Sequence, residues 1–343
     1  MFSSGVGSEA KWRSTLERAL GTWESVADWA DYIAYLARLQ KAVCSSSLSG
    51  EHMPLCEEIS ESLARCLEPN LPSGVHQTCI TVYDTVFTTI GPQRLCDTLN
   101  LWLPGILPVI SWAAFNVKPM LIELIAKHVI SAVSLNPETL QELIHPVLLA
   151  LLPSLEEESG ECYSEIWNLV NTLKIKLNDD DRFWKCIYMS AITSSDCRLG
   201  ALNLLNSVSM RNDQLEASNE KSLDSELTSN ENKTGISQTE GIPILAYLVR
   251  ASCNGLNDSN VLVQRGFLDV LVRNLPIDSD YLQNNNKQFC YIMWSACSVI
   301  LRRDMSLNRR LWLWLLGPEP EIRDKPSVKG SEEAEITGDD TNM

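Results

Sequence analysis

The sequence lacks the short motifs that mark most catalytic and nucleotide-binding sites. It contains no GxxxxGK phosphate loop, no GxSxG nucleophile turn, no HExxH zinc motif and no EF-hand pattern. Only four histidines are present, and none is spaced with another histidine or a cysteine as zinc ligands are. We therefore expect no catalytic residue, no cofactor and no metal site, and an enzyme is the less favoured class of protein.

Long apolar runs and paired cysteine motifs are absent as well. The longest uncharged apolar stretch, residues 101–115, is interrupted by Pro104, Gly105 and Pro108 and is shorter than the roughly 20 residues that span a bilayer. The first residues include no apolar segment of the kind found in signal peptides. The 11 cysteines are scattered without a CxxC pair, which is typical of reduced core cysteines. Together these features predict a cytoplasmic protein.

Basic residues are outnumbered, and the acidic excess is concentrated in two segments. Residues 212–241 contain seven acidic and two basic side chains, and residues 318–343 contain eight acidic and three basic ones, which accounts for most of the net charge of −16. The rest of the chain is only mildly acidic, so we expect no nucleic-acid binding, which depends on many basic contacts to phosphate. Both segments are polar and lack aromatic residues, and we predict a disordered acidic loop and a disordered acidic tail.

Apolar residues at helical spacing are abundant. Val75, Cys79, Val82 and Val86 fall on one helical stripe, and steps of three and four residues recur along the chain, without a competing alternating pattern. Polar or proline-containing turns recur roughly every 35–45 residues, which is room for two helices. This pattern predicts an all-α fold, a HEAT- or armadillo-like α-solenoid of stacked helical hairpins. An irregular helical bundle is the alternative.

The predicted repeat region has two parts. It covers residues 9–211 and continues over residues 242–317, with the acidic loop between them, and residues 1–8 are predicted to be a flexible N-terminus. Most tryptophans lie among helix-period apolar residues, where packing in the core or between repeats is the expected role. These are Trp23, Trp29, Trp102, Trp112, Trp167 and Trp184.

The most informative stretch ends the repeat region and reads VILRRDMSLNRRLWLWLLG over residues 299–317. Guanidinium groups favour bidentate contacts with phosphate or carboxylate groups, and an apolar run without a polar face must pack against something. We therefore predict a surface that binds partners or assembles, rather than a catalytic site. The candidate partner- or phosphate-binding residues are Arg302, Arg303, Arg309 and Arg310, and the candidate apolar assembly surface consists of Leu311, Trp312, Trp314 and Leu315.

Several alternatives remain open for this stretch. One continuous helix would repeat the arginines on one face, whereas Asp304 and Ser306 are good helix-start residues that favour a break between two helices. The arginines either face outward or pair internally, for example with Asp304, Asp269 or the carbonyl groups at a helix C-terminus. The apolar run is covered by a further repeat, a partner or a membrane interface, and self-association through the C-terminal repeat is expected where it stays exposed.

Several uncommon strings resemble one family. In chain order they are WADYIAYLARLQKAV, VYDTVFTTIGPQRL, VKPMLIELI, LLPSLEEESGECY, VLVQRGFLDVL and LRRDMSLNRRLWLWLLG. They make residues 9–317 similar to the N-terminal region of the Dopey family, although family members continue far beyond the position of Gly317.

The resemblance implies a noncatalytic scaffold in vesicle-mediated protein transport, peripheral on Golgi and endosomal membranes. The partners it implies are a trafficking scaffold related to Arf exchange factors and a phospholipid flippase. The alternative function is a peripheral membrane module that binds phospholipid headgroups. The resemblance carries over no catalytic residue and no established role for the four arginines.

Overall fold

The computed structural model of the protein describes residues 3–45, 53–207 and 243–317. The predicted acidic loop, residues 212–241, and the predicted acidic tail, residues 318–343, lie outside the described residues. Within the three described ranges every regular element is a helix and none is a strand. The predicted all-α class is confirmed.

The first half of the chain folds into helices joined by short turns. They are α1 (Ser3–Leu20), α2 (Trp29–Val43), α3 (Cys56–Arg65), α4 (Ser73–Ile90), α5 (Pro92–Ile106), α6 (Lys118–Leu124), α7 (Ile130–Val133) and α8 (Pro137–Leu151). A π-helical turn, Ile125–Val129, joins α6 to α7, and the flanking residues Leu124 and Ile130 keep right-handed helical backbone angles.

The second half continues in the same way. Its helices are α9 (Tyr163–Leu177), α10 (Asp180–Thr193), α11 (198–207), α12 (Ile244–Leu256), α13 (Val261–Asn274), α14 (Asp280–Asn284), α15 (Asn286–Ser298) and α16 (Met305–Leu316). Helix α11 is followed by residues 208–242, which are outside the described part of the chain.

Short polar side chains fix where several of these helices begin. Asn136, Asp179, Asn260 and Asp304 each accept a hydrogen bond from a backbone N–H group in the first turn of the helix that follows. These N–H groups have no partner within the helix, so a capping side chain satisfies them. Pro137 occupies the first position of α8, where its missing N–H is not needed.

Contacts between helices follow their order along the chain. Helix α2 packs on α4 and α4 on α6, while α3 packs on α5 and α5 on α7. The step continues from α8 to α10, from α10 to α12 and from α12 to α15, and α13 packs on α16. Helices therefore contact those near them in sequence, as in a solenoid whose repeats touch only their neighbours. The chain is an all-α solenoid of stacked helical hairpins.

One continuous apolar core runs along the stack, from Leu16 in α1 through Trp102 in α5 to Trp314 in α16. The packing of α10 on α12 joins the two stretches on either side of residues 208–242. Close helix contacts need small residues, and a Cβ atom built on Gly200 would lie 2.0 Å from the carbonyl oxygen of Leu152. The acidic segment thus interrupts the sequence of the repeats without interrupting their core.

The start of α1 overlaps the segment predicted to be flexible. The sequence predicts a flexible segment over residues 1–8, and α1 begins at Ser3. Serine and glycine are poor helix formers and dominate the start of α1, so the local sequence gives a weak helical signal. The rest of α1 is anchored because Trp12 and Leu16 are buried in the core, and the helix extends backward from that anchor.

Three further observations concern thiols, metal ligands and membrane helices. All 11 cysteines are free thiols, and those in the core include Cys66, Cys79 and Cys96. Across the described ranges, no group of three or more histidine, cysteine, aspartate or glutamate side chains is placed to hold a metal ion. In the same ranges, no helix combines the length and the apolar composition needed to cross a bilayer.

Candidate interaction surface

The candidate surface lies on α15 and α16, the last helices of the described chain. Helix α15 packs on α12 and α16 packs on α13, each through one face. Between them a 3-10 turn, Val299–Arg302, leads to Arg303, whose φ of 56° is left-handed, and α16 begins after the N-cap Asp304. The break between two helices is therefore the correct alternative. Arg302 and Arg303 lie before α16, whereas Arg309 and Arg310 lie on α16. The four arginines therefore do not form one helical face.

Two of the four candidate arginines, the exposed Arg302 and the half-buried Arg310, form hydrogen bonds to other parts of the chain. Arg302 donates from Nη2 to the carbonyl oxygen of Asp258 at 2.9 Å. Arg310 donates from Nε to the carboxylate of Asp269 at 2.8 Å and from Nη1 to the carbonyl oxygen of Ser306 at 3.2 Å. These contacts correspond to the internal pairing considered from the sequence. We assign Arg302 and Arg310 to holding the last helices against α13 and the turn before it.

Arg303 and Arg309 differ from that pair. Both side chains are exposed, and neither guanidinium group forms a hydrogen bond or an ion pair with any described residue. Arg303 lies in the turn before α16, and Arg309 lies on α16 itself. An unpaired guanidinium group keeps its full capacity for a bidentate contact with carboxylate or phosphate. Arg303 and Arg309 are therefore the two arginines that remain candidates for binding phosphate or a partner.

The predicted apolar assembly surface needs a correction. Leu311 and Trp314 are buried in the core, and Trp314 donates from Nε1 to the carbonyl oxygen of Leu275 at 2.9 Å. Leu315 is half-buried and packs against the same core. Only Trp312 of the four predicted residues is largely exposed, at 57%. The physical reason is the helical period, because the residues of an uninterrupted apolar run point in different directions and only some face the stack.

The structure nevertheless presents an apolar surface at this end, made largely of other residues. Several large apolar side chains of α15, α16 and the turn between them are exposed, and Met305 reaches 86%. On α16, Met305, Arg309 and Trp312 follow one another at steps of four and three residues, so the unpaired arginine shares a stripe with apolar groups. We call the following set the terminal apolar surface: Trp294, Leu301, Met305, Trp312 and Leu316.

Sequence reasoning missed most of this surface. Trp294 and Leu301 each follow other apolar residues and Met305 stands between polar ones, so the sequence does not show that these three side chains are exposed. A signal was present in the spacing, because Trp294 and Leu301 are seven residues apart and α15 also exposes Tyr291. This spacing predicts the exposed residues only when it is known which faces of α15 and α16 pack against the other helices.

Asp304 organises the turn beside this surface. It accepts hydrogen bonds from the Ser306 hydroxyl at 2.7 Å and the Leu307 backbone N–H at 3.0 Å, and Nη2 of Arg265 lies 3.0 Å from its other oxygen. These contacts, the Ser306 hydroxyl first, lower the pKa of Asp304 to about 2. The carboxylate is therefore ionised at neutral pH and is engaged by Arg265, and Arg303 has no acidic partner among the described residues.

The fold and this surface define a class of protein: a helical-repeat solenoid whose helix α16 and the turn before it expose apolar groups and two arginines that have no ion-pair partner among the described residues. A family model described as "Dopey, N-terminal" matches residues 7–320. The chain belongs to the Dopey family and corresponds to its N-terminal region, as the sequence strings predict.

Relatives in other organisms agree with this assignment. The chain is 34% identical to "Protein dop1" of Emericella nidulans over 337 residues, 93% of this chain and 18% of the relative. It is 34% identical to "Protein DOP1" of Saccharomyces cerevisiae over 90% of this chain and 20% of that protein. It is 33% identical to "Protein DOP1B" of Mus musculus over 89% of this chain and 12% of that protein. The chain thus spans a fifth or less of these relatives' length. No solved structure matches it.

Proposed function

We propose that this chain is a noncatalytic scaffold that recruits partner proteins to Golgi and endosomal membranes, on which it is peripheral and cytoplasmic. The observation that carries the proposal is the exposed stripe of α16, on which Arg309 lies between Met305 and Trp312. Membership of the Dopey family supports the trafficking context. The partners proposed, from the family resemblance, are a trafficking scaffold related to Arf exchange factors and a phospholipid flippase.

The physical basis is the contrast between a rigid support and an exposed helix face. The core is continuous to Trp314, so α16 is held in a fixed orientation while Trp312 on its other side remains exposed. Burying a large apolar side chain contributes about 1.5–3 kcal/mol, so several on one surface can stabilise an interface. Arg303 and Arg309 add charge-assisted contacts and favour an acidic partner surface. Tryptophan and arginine are also the residues enriched where binding energy concentrates.

The test is capture of the two named partners by the purified chain. A Trp312→Ser/Leu316→Ser variant removes two apolar groups of the terminal apolar surface, and Phe115→Ser is the control because Phe115 is also an exposed apolar side chain but lies before α6. We expect the chain and the Phe115→Ser control to retain at least one of the partners, and the double variant to lose it. Equal capture by all three chains would contradict the proposal.

The alternative function is binding of phospholipid headgroups at the membrane surface. The observation that favours it is the pairing of two uncompensated arginines with an exposed tryptophan, since arginine binds phosphate and tryptophan prefers the membrane–water interface. An Arg303→Gln/Arg309→Gln variant should then lose flotation with vesicles that contain phosphoinositide. An Arg18→Gln/Arg38→Gln variant removes the same charge from exposed positions near the other end. Flotation that falls equally in both variants would indicate only nonspecific charge attraction.

A further inference from the structure

A second concave surface lies in the middle of the solenoid, apart from the terminal apolar surface. Helices α9, α10 and α11 enclose an open groove with one part of about 810 Å³ and another of about 580 Å³. Trp167 and Ser207 line both parts, so the two are continuous along α9. The volumes fall in the range of clefts that hold ligands.

Aromatic rings form one wall of the groove. The rings of Tyr163 and Trp167 are stacked, with centroids 5.8 Å apart and an interplanar angle of 16°. Further along, Trp184 lies at an edge-on angle to Phe183, and Nζ of Lys174 is 5.1 Å from the centre of the Trp184 ring. Tyr163, Trp167 and Trp184 are only half-buried although each packs against the core. Each therefore offers a ring surface that no described side chain covers fully.

Side-chain amides line the groove beside these rings. Asn171 follows Trp167 by one helical turn, and Asn168 is its immediate neighbour. Neither amide forms a hydrogen bond with a described residue, so each keeps its donors and its acceptor free. On the opposite wall the asparagines are engaged, since Asn203 donates to the carbonyl oxygens of Leu155 and Glu156 at 2.8 and 3.0 Å. The free amides of α9 can thus bond the peptide groups of another chain.

The charges that line the groove determine whether a positively or a negatively charged ligand is favoured. Glu158 lies at the Tyr163 end and forms no ion pair within the described residues. Glu158 and Tyr163 line the same part of the groove, and burial, and after it the negative charge of Glu158, raises the pKa of Tyr163. At the other end Lys174 is 3.4 Å from Asp180 and is neutralised by it. Among the residues that line the groove, the uncompensated charge is therefore negative, and the basic group beside them is Arg273, which donates from Nη1 to Oδ1 of the lining residue Asn206 at 3.2 Å.

We propose that this groove binds an extended, proline-containing peptide segment of another protein that carries a basic residue, with the basic residue next to Glu158. Proline-rich segments adopt an extended helix without internal hydrogen bonds, so their carbonyl groups are free to accept from amides. Such segments are bound in grooves lined by aromatic rings, where proline stacks on tyrosine and tryptophan. Asn168 and Asn171 bond the peptide backbone, and the stacked rings of Tyr163 and Trp167 receive its apolar side chains.

The length of the groove limits the length of the peptide. The lining residues run from Tyr163 to Asn178, which is the whole of α9, or roughly 22 Å at the rise of an α-helix. An extended proline helix rises about 3.1 Å per residue, so about seven residues fill the groove. The acidic segment 212–241 of this chain is a poor match, because its net negative charge opposes that of Glu158.

The test uses the full chain and an array of short proline-containing peptides flanked by arginine, alanine or glutamate. The tightest peptides are then measured by fluorescence anisotropy. We expect arginine-flanked peptides to bind at least about tenfold more tightly than glutamate-flanked ones, because Glu158 repels the latter. Trp167→Ala and Asn171→Ala should each weaken binding at least about tenfold, while Trp312→Ser leaves it unchanged.

The controls separate the possible outcomes. Trp167 contacts the core, so its variant is checked by thermal unfolding, and Asn171→Ala, which removes only an unpaired amide, keeps the test decisive if Trp167→Ala fails to fold. Binding that is unchanged in Asn171→Ala, or no binding by any peptide in the array, would overturn the proposal. A rise in affinity of more than about tenfold on deletion of residues 212–241 would assign the groove to the chain's own acidic segment instead.

Discussion

The guanidinium group of Arg198 and the carboxylate of Asp258 form an ion pair that joins α11 to the turn before α13. Both side chains are largely buried, with 15% and 7% of their surfaces exposed. Arg198 also donates from Nε to the carbonyl oxygen of Ala191 at 3.1 Å, and Asp258 accepts from the backbone N–H of Asn260 at 2.7 Å. The pair therefore links the repeats on either side of residues 208–242.

Loss of this ion pair should strongly destabilise the solenoid. Removing Arg198 leaves the Asp258 carboxylate buried without its cation, and breaking a buried pair costs about 3–5 kcal/mol. We expect Arg198→Ala to lower the free energy of unfolding by about 3 kcal/mol, since the Asn260 N–H still supports the carboxylate. Arg13→Ala is the control, because the Arg13–Glu17 pair is exposed and should change stability by less than about 0.5 kcal/mol.

Urea unfolding followed by circular dichroism measures both variants. If Arg198→Ala lowered the free energy of unfolding as little as Arg13→Ala does, the Arg198–Asp258 pair would not stabilise the contact between the repeats. The added substitution Asp258→Asn should recover part of the loss, because it removes the uncompensated charge.

Two glycines should respond in opposite ways to alanine. A Cβ atom on Gly200 would lie 2.0 Å from the carbonyl oxygen of Leu152, and backbone cannot move aside cheaply. We expect Gly200→Ala to destabilise the protein by at least about 2 kcal/mol. A Cβ atom on Gly74, in the first turn of α4, meets nothing within 4 Å, so Gly74→Ala should stabilise it by about 0.4–1 kcal/mol.

Thermal and urea unfolding of the two single variants check this contrast. A Gly200→Ala variant as stable as the wild type would contradict the close approach of α11 to Leu152, and a destabilised Gly74→Ala variant would contradict the open space at Gly74. The comparison is informative because both glycines are helical and the substitutions are chemically identical.

The fold class could be predicted from the sequence because helical periodicity is a local property. The stripe from Val75 to Val86 is buried as expected, and Asn136 caps α8 as its position before Pro137 indicates. The faces of the last repeat could not be predicted in the same way. Trp312 and Trp314 are two residues apart, hence roughly 200° apart around the helix, and only the packing of α16 on α13 decides which is buried.

The arginines illustrate a second limit. The spacing of seven between Arg302 and Arg309 has meaning only on one unbroken helix, and the left-handed conformation of Arg303 ends that register. A similar limit applies to Trp167, whose helical stripe predicts packing in the core. Trp167 does contact the core, as the helical stripe predicts. The sequence does not reveal that α11 and α10 leave one side of its ring open.

The stability contributed by Asp304 should depend on pH. Its pKa in the folded chain is about 2, below the ordinary value of 3.8, because the Ser306 hydroxyl, the Leu307 N–H and Arg265 favour the ionised form. A lowered folded-state pKa stabilises the protein at pH values above about 3.8, and the contribution is lost as the pH falls from there through about 2. Asp304→Asn keeps a capping oxygen but not the charge.

The urea midpoints of the wild type and Asp304→Asn should therefore differ at pH 6 and converge as the pH approaches 2. The difference between the two chains isolates Asp304, since other carboxylates with lowered pKa values, such as Asp84 and Asp258, titrate in both. If the difference in urea midpoint stayed constant down to pH 2, the charge of Asp304 would not contribute to stability. The helix cap would then be the only contribution of this side chain.

The two tryptophans of α16 should separate stability from association. Trp314 is 3% exposed and its N–H is bonded to the carbonyl oxygen of Leu275, so Trp314→Ala should cost about 3–5 kcal/mol of folding free energy. Trp312 is mostly exposed, and Trp312→Ser should change stability by less than about 0.5 kcal/mol.

Exposed apolar groups favour association, so the wild type should self-associate as concentration rises and Trp312→Ser should do so less. Sedimentation velocity over a range of concentrations measures this, with Phe115→Ser as the exposed aromatic control. Identical sedimentation of the wild type and Trp312→Ser, with Trp314→Ala still unfolding early, would mean that α16 completes the core and contributes nothing to assembly.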